Sequence, residues 1–288
     1  MDINEALRDA SMQLKKAGID SPWLDAEVLL AHVLRHDRTW LLAHPEHSIT
    51  NAQQRRFSAM LKKRLARTPL AYITGTKEFY GHTFHVTPAV LIPRPETEQL
   101  IDAALPALKR LPKKSLIADI GTGSGCIAIT LAKLLPHLQL TATDRSSAAL
   151  ALAKRNARRL KVGDRISWKK ESTFEVTQEP KLFAIVSNLP YCSNTEYNAG
   201  QQELHAEPKG AIAAGARGDE LIVALLASIA QRPKKSPLQI VGLEFDPRRA
   251  ARIKKHAQKI LPLWEWGVVN DLAKRPRILI GKNNNAPK

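Results

Sequence analysis

The sequence has no long apolar runs and few cysteines. No stretch of the 288 residues approaches the roughly 18 uninterrupted apolar residues that a membrane-spanning helix needs. Cys126 and Cys192 are the only cysteines, too few for a disulfide framework or a zinc site. The first five residues lack the basic start and the apolar stretch of a secretory signal. We therefore expect a soluble, cytoplasmic protein with no membrane partner.

Acidic residues are scarce beside basic ones. The chain has 44 lysines and arginines against 27 aspartates and glutamates, which gives a formal net charge of +17 at pH 7. Such a charge attracts polyanions. The basic residues are scattered in pairs, however, without the interleaved aromatic side chains of a single-strand binding groove. Direct binding of nucleic acid is therefore compatible with the charge but is not required by it.

The first part of the chain has a helical pattern. Across residues 1–74, apolar residues recur at helical spacing. Ser21 followed by Pro22 is typical of an N-cap with proline at the first helical position, and residues 50–53 have the form of a capping box. Residues 1–74 therefore predict a small all-helical domain.

A linker follows at residues 75–95. Bulky and polar residues alternate around Gly81, which favours a short hairpin. Pro93 and Pro95 then hold the chain extended and remove two backbone donors, so we expect Glu96 or Thr97 to open the next helix. Without further context this second stretch is a stiff connection.

From residue 96 to residue 288, apolar strand-like runs alternate with helical segments. Such alternation predicts an α/β fold with a doubly wound, largely parallel sheet and helices on both faces. The candidate strands are residues 116–120, 138–143, 166–169, 183–186, 238–244, 264–269 and 277–280.

A glycine-rich turn follows the first of these strands. Glycines at alternating positions let the backbone turn sharply and approach a ligand, and the amino terminus of the next helix offers free N–H groups. The candidate cofactor-binding residues here are Asp119, Gly121, Thr122, Gly123, Ser124 and Gly125. The turn also fits a loose dinucleotide fingerprint. A carboxylate at Asp119 favours a cationic cofactor over a pyrophosphate, although Asp119 could instead cap the turn that follows it.

Two further carboxylates end the next strands. Asp144 is placed to accept both hydroxyls of a ribose, or to cap the helix that begins near Ser147. Glu171 is the carboxylate available at the end of the third strand, where an acid that contacts adenine would be expected. Both are candidate cofactor-binding residues.

The fourth strand ends in Asn188, Leu189, Pro190 and Tyr191. This sequence brings an amide side chain, an exposed backbone carbonyl and an aromatic ring to the carboxyl edge of the sheet, where open α/β sheets bind ligands. These four residues are the candidate catalytic and substrate-binding residues, and Asn188 also borders the cofactor. The arrangement suits a planar, weakly nucleophilic nitrogen, and it fits adenine and glutamine equally well.

Several motifs together resemble one family. They are residues 68–75, Glu-Phe-Tyr-Gly at 78–81, Leu-Ile-Pro-Arg-Pro-Glu-Thr-Glu at 91–98, the turn at 119–125, and Glu-Pro at 207–208. In this order they resemble the peptide chain release factor N5-glutamine methyltransferases over nearly the full length. The resemblance implies a class I methyltransferase with a seven-stranded sheet and S-adenosylmethionine as cofactor. It also implies a helical domain that recognises the substrate.

The implied reaction is methylation of the glutamine in the Gly-Gly-Gln motif of class I release factors. The Asn188 side-chain oxygen and the Leu189 carbonyl would accept the two N–H bonds of the substrate amide, Tyr191 would pack against that amide, and no general base is needed. We expect a monomer that acts in translation termination.

The sequence departs from the family at two positions. The family signature is Asn-Pro-Pro-Tyr, whereas Leu189 replaces the first proline here. Leucine keeps the backbone carbonyl but loses the fixed φ of proline. At the adenine end, direct alignment places Ser172 and Thr173 where the family has an acid and an aromatic residue. Thr173 is therefore a further candidate cofactor-binding residue.

Other functions remain open at this point. An RNA adenine N-methyltransferase fits Asn-Leu-Pro-Tyr and the positive charge, and a ribosomal-protein glutamine methyltransferase shares the 91–98 motif. A nicotinamide-dependent dehydrogenase and a binding protein without activity are further alternatives.

Overall fold

The computed structural model describes residues 1–172, 174–233 and 235–286. The chain forms two compact units. Unit 1 contains Met1–Thr76 and Gln201–Ala206, and unit 2 contains Lys77–Gly200 and Glu207–Lys288. No helix within the described ranges is both long and apolar enough to span a bilayer.

The helices are α1 (Ile3–Lys16), α2 (Pro22–Leu34), α3 (Arg38–Ala43), α4 (Asn51–Leu65), α5 (Leu70–Thr74), α6 (Pro95–Leu108), α7 (Cys126–Leu134), α8 (Ser147–Arg159), α9 (Asn194–Asn198), α10 (Gln202–His205), α11 (Glu220–Ala230) and α12 (Ala250–Ile260). The strands are β1 (Thr76–Phe79), β2 (His82–His85), β3 (Leu116–Ile120), β4 (Gln139–Asp144), β5 (Ile166–Lys170), β6 (Leu182–Ser187), β7 (Cys192–Ser193), β8 (Ala213–Gly215), β9 (Ile240–Glu244), β10 (Glu265–Asn270) and β11 (Pro276–Lys282).

Unit 1 is helical. Its core is formed by apolar side chains of α1, α2 and α4, among them Leu14, Leu30 and Phe57, because these helices carry apolar residues at a 3.6-residue period. The capping box predicted at residues 50–53 is confirmed, since Thr50 accepts from the backbone of Gln53 and the Gln53 side chain accepts in return. Pro22 lies in the first turn of α2 as expected, but the Ser21 side chain makes no capping hydrogen bond.

A partly buried ion-pair cluster lies inside unit 1. The Arg64 guanidinium is 2.6 Å from Asp25 Oδ2 and 2.9 Å from Glu203 Oε1. Arg67 lies 3.1 Å from the same Glu203 oxygen. The cluster therefore fastens α10, which is distant in sequence, to α2 and α4.

The hairpin expected in the linker is present as β1 and β2. Tyr80 and Gly81 at its tip both have positive φ, the geometry of a two-residue type I′ turn. The helix after the prolines begins earlier than we predicted, at Pro95 rather than at Glu96 or Thr97. The reason is that a helix's first turn needs no intrahelical N–H donor, so proline fits there.

Unit 2 contains a seven-stranded sheet with the order β10-β11-β9-β6-β3-β4-β5. The five strands from β9 to β5 are parallel, and β11 runs antiparallel to both of its neighbours. Side chains alternate between the faces, so Ile117 packs in the core with α6, α7 and α8, whereas Ala118 packs in the core with α11 and α12. The predicted doubly wound α/β fold is confirmed.

The strand order reverses between β3 and β6, which are neighbours in the sheet. At such a switch point the connections leave in opposite directions and open a crevice at the carboxyl ends of the strands. The glycine-rich turn follows β3, and Asn188 follows β6. The topology of unit 2 therefore brings the two motifs together.

Candidate active site

A cavity of about 270 Å³ lies at this crevice in unit 2. The predicted site residues that line it are Gly121, Thr122, Gly123, Ser124, Asp144, Glu171, Asn188, Leu189 and Pro190. Ser172, Phe174 and Thr97 line it as well. Asp119, Gly125 and Tyr191 are not among the described residues of the lining, and Thr173 lies outside the described residues.

The glycine-rich turn requires glycine at more than one position. Gly121, Gly123 and Gly125 have φ values of +74°, +54° and +83°, which side chains rarely adopt. A Cβ at Gly125 would lie 2.9 Å from Ile129 Cδ1, whereas a Cβ at Gly123 would meet nothing within 4 Å. The Cβ at Gly125 would also lie 3.1 Å from Ala153 Cβ, so Gly125 allows the start of α7 to approach α8 closely. Gly123 leaves room for a ligand to approach the backbone.

Asp119 lies beneath the turn and is fully buried. Its Oδ2 accepts from Thr122 Oγ1 at 2.6 Å and from the Ala128 N–H at 3.0 Å, so this oxygen caps the start of α7. Its Oδ1 has no hydrogen-bond partner among the described residues. Burial, opposed by these two hydrogen bonds, raises the pKa of Asp119 to about 7. Capping thus uses one oxygen and leaves the other without a hydrogen bond from the described residues.

Asp144 is the last residue of β4 and lines the cavity. Its Oδ2 accepts from the Gly123 N–H at 2.9 Å, and its Oδ1 accepts from the Ser146 N–H at 2.8 Å. The helix α8 is capped by Ser146, whose Oγ accepts from the Ala149 N–H. Since a carboxylate oxygen has more than one acceptor site, Asp144 retains the capacity to accept two hydroxyls.

Glu171 stands beside Asp144. The Glu171 N–H donates to the Asp144 carbonyl at 3.1 Å. Glu171 Oε2 accepts from the Val176 N–H at 3.2 Å, and burial raises the pKa of this side chain. An acid is thus present at the end of β5 despite the one-residue offset from the family pattern.

The Asn188 amide is held by a chain of hydrogen bonds that sequence reasoning did not anticipate. Asn188 Nδ2 donates to Thr97 Oγ1 at 2.9 Å, and Thr97 Oγ1 donates to Glu244 Oε2 at 2.7 Å. The Tyr191 hydroxyl donates to Glu244 Oε1 at 2.9 Å. Tyr191 therefore contacts Glu244, and its packing against a substrate amide stays a prediction. Glu244 could have been found from the sequence, because it ends a parallel strand at the edge where ligands bind.

Leu189 is buried, with 5% of its surface exposed, and belongs to the core on the sheet face that packs against α11 and α12. Its Cδ2 would lie 3.3 Å from a Cβ at Gly121. The side chain thus fills space between the glycine-rich turn and the 188–191 motif. The backbone carbonyl of this residue is present whichever side chain occupies position 189.

Glu207 accepts two hydrogen bonds from the proline-rich segment at residues 91–95. Its Oε2 accepts from the Ile92 N–H at 2.9 Å, and its Oε1 accepts from the Arg94 guanidinium. Because Ile92 and Arg94 flank Pro93, which lines the cavity, a buried carboxylate fixes this wall of the site.

The sequence is similar to known families over most of its length. Residues 5–75 match the PrmC N-terminal domain, and residues 98–223 match the methyltransferase small domain. A release factor glutamine methyltransferase of Koribacter versatilis is 36% identical over 98% of this chain and 99% of its own length. One of Nitratidesulfovibrio vulgaris is 37% identical over 96% of this chain and 94% of its own length.

Solved structures share the fold. The hMettl16 catalytic domain in complex with MAT2A 3'UTR hairpin 1 has a TM-score of 0.58 at 15% identity, covering 86% of this chain and 87% of that chain. The N-terminal domain of human METTL16 in complex with SAH has a TM-score of 0.52 at 17% identity, covering 77% and 83%. At these identities the similarity extends to the fold alone.

The sheet order, the turn after β3 and the matched small domain are those of a class I S-adenosylmethionine-dependent methyltransferase. The relatives narrow this class, because they match along almost the whole chain. The chain belongs to the family of release factor glutamine methyltransferases, as its motifs predicted.

Proposed function

We propose that this protein transfers a methyl group from S-adenosylmethionine to the side-chain amide nitrogen of the glutamine in the Gly-Gly-Gln motif of class I peptide chain release factors. The observation that carries the proposal is 36% identity to a release factor glutamine methyltransferase over 98% of the chain. Residues 188–191 fit glutamine and adenine equally well as the methyl acceptor. Membership of the release factor glutamine methyltransferase family favours glutamine. It also favours release factors over ribosomal proteins, and a methyltransferase over a dehydrogenase or an inactive binding protein.

The residues of the cavity fit the cofactor. When bound, S-adenosylmethionine supplies an electrophilic methyl group on a positively charged sulfur. Asp144 would accept the ribose hydroxyls, and Glu171 with Ser172 would border the adenine. Asp119 is not among the described residues that line the cavity, but its carboxylate beneath the turn would favour the positive charge of the ligand when ionised. The glycine-rich turn lets the backbone approach the ligand without steric conflict.

The chain's contribution at the acceptor is to bind and orient an amide. Asn188 Oδ1 and the Leu189 carbonyl would accept its two N–H bonds and so hold the amide nitrogen in a fixed orientation. The same two oxygens stabilise the positive charge that develops on the nitrogen. Positioning of this kind supplies roughly 7 to 11 kcal/mol when the geometry is good, so no general base is required before the transfer. The strongly acidic N-methylated amide would then lose one proton to water.

The partner assignments follow from this substrate. Residues 1–74 form a domain that recognises the release factor, residues 75–95 link it to the catalytic domain, and residues 96–288 perform the transfer. The protein acts as a monomer in the cytoplasm, where translation terminates. The net charge of +17 does not require a nucleic-acid ligand.

The test is methyl transfer to a whole release factor, followed by mass spectrometry of the Gly-Gly-Gln peptide. We expect one added methyl group on the glutamine and none on ribosomal RNA offered in parallel. Methylation of RNA alone would overturn the proposal.

A second measurement separates binding from turnover. Asn188→Ala should abolish transfer while calorimetry still detects S-adenosylmethionine binding within a few-fold of the wild-type affinity. Binding of NAD in place of S-adenosylmethionine would contradict the cofactor assignment.

A further inference from the structure

We propose that Glu244 is a positioning residue that acts through Thr97 to hold the Asn188 amide with its oxygen toward the substrate nitrogen. The inference rests on the proposed function, because it specifies how the acceptor site of that reaction is kept in its productive orientation. Neither Glu244 nor Thr97 lies in the 188–191 motif.

The direction of each hydrogen bond follows from the number of protons available. In its ionised form Glu244 only accepts, so Thr97 then donates its single proton to Glu244 across 2.7 Å. Thr97 Oγ1 then faces Asn188 with lone pairs only. The group 2.9 Å away must therefore be the Asn188 NH₂, and Oδ1 is left to face the cavity.

The opposite orientation of Asn188 is excluded by the same argument. A rotated amide would set its oxygen against a hydroxyl oxygen that has no proton left to donate. Thr97 and Glu244 are buried, with 2% and 1% exposure, so water does not replace the missing proton. A substrate amide would then meet N–H groups where it needs acceptors.

Tyr191 completes the chain and makes Glu244→Gln a decisive variant. In the wild type, Tyr191 and Thr97 each donate to one Glu244 oxygen. A glutamine at 244 keeps both hydroxyl protons paired in one arrangement: Oε1 accepts from Tyr191, Nε2 donates to Thr97, and Thr97 donates to Asn188 Oδ1. The reverse arrangement would set Nε2 against the Tyr191 hydroxyl and deprive its proton of the acceptor that Glu244 Oε1 supplies. The first arrangement keeps the fold and rotates the Asn188 amide into the wrong orientation.

Moving the negative charge from position 244 to position 188 should restore an acceptor oxygen that faces the substrate. In Asn188→Asp alone, a carboxylate oxygen faces the Thr97 lone pairs close to ionised Glu244, so the side chain is repelled. In Glu244→Gln combined with Asn188→Asp, Thr97 donates to one oxygen of the carboxylate introduced at position 188, while the second oxygen faces the substrate amide. The double variant has the same net charge as the wild type.

The experiment compares the kcat of methyl transfer to a whole release factor among the wild type, both single variants and the double variant. We expect each single variant to lower kcat at least tenfold, with S-adenosylmethionine affinity within threefold of wild type. The double variant should exceed both single variants at least fivefold. Glu265→Gln, an equivalent change at an exposed position on β10, is the matched control and should leave kcat unchanged.

Two results would overturn the inference. One is a wild-type kcat in Glu244→Gln, and the other is a double variant no more active than the weaker single variant. If a single variant fails to fold, as judged by its melting temperature and cofactor affinity, the comparison of the double variant with the other single variant decides. Absence of wild-type transfer would instead contradict the proposed function, so the two failures are distinct.

Discussion

The Ser187 hydroxyl donates a 2.5 Å hydrogen bond to the carbonyl of Ile120. It joins the last residues of β6 and β3 at the point where the glycine-rich turn and the 188–191 motif begin. Both residues are buried. The bond therefore fixes the distance between the cofactor side and the acceptor side of the cavity.

Removal of that hydroxyl in Ser187→Ala should lower the free energy of unfolding. An unpaired buried carbonyl costs about 1 to 3 kcal/mol, and each kcal/mol lowers the melting temperature of a domain of this size by about 2 to 4 °C. Differential scanning calorimetry measures the change. Ser58→Ala on the exposed face of α4 is the control, and an equal melting temperature in both variants would contradict the role of the bond.

Asp119→Asn should weaken S-adenosylmethionine binding while making the free protein less sensitive to pH. Because burial raises the pKa of Asp119 from 3.8 to about 7, its contribution to stability is full below pH 3.8 and is lost as pH rises through about 7. The unliganded wild type should therefore lose stability, relative to the variant, between about pH 4 and 7.

The same carboxylate predicts a proton release. A cationic ligand favours the charged form of Asp119, so cofactor binding near pH 7 should release protons from the wild type and not from Asp119→Asn. Calorimetry in two buffers of different ionisation enthalpy measures the number released. Equal proton release by both proteins would assign the effect to another group.

Leu189→Ala should separate the backbone role of this residue from its side chain. Truncation of a buried leucine costs about 2 to 5 kcal/mol, so denaturant unfolding should show a marked loss of stability. The carbonyl remains, so kcat measured below the unfolding transition should stay within tenfold of wild type. A loss as large as that of Asn188→Ala would mean that the side chain itself is required.

The rate of transfer should fall in acid through protonation of Glu244. Burial raises the pKa of this carboxyl, and hydrogen bonds from Thr97 and Tyr191 oppose the shift. The titratable or charged groups that bear on it are Tyr191, Arg277, Glu96 and Cys126. Since only the ionised form obliges Thr97 to donate toward it, kcat should decline as pH falls through a value above 4.5. In Glu244→Gln, kcat should not decline over this acidic range.

The sequence predicted the sheet well and the hydrogen-bond chain not at all. Strands β3 and β5 begin at the predicted residues because their apolar runs are bounded by turns. The approach of the glycine-rich turn to Asn188 was also accessible, since topology sets which strand ends meet. Thr97 and Glu244, in contrast, are 147 positions apart. No local pattern indicates that the two side chains form a hydrogen bond, because their contact depends on how α6 packs against β9.

The path of the chain between the two units has a consequence for engineering. The backbone leaves unit 1 after Thr76, returns for Gln201–Ala206 and leaves again. A graft that exchanged only residues 1–76 would separate Glu203 from its native Arg64 and Arg67. Residues 201–206 would therefore have to move with residues 1–76 in any graft of the helical unit.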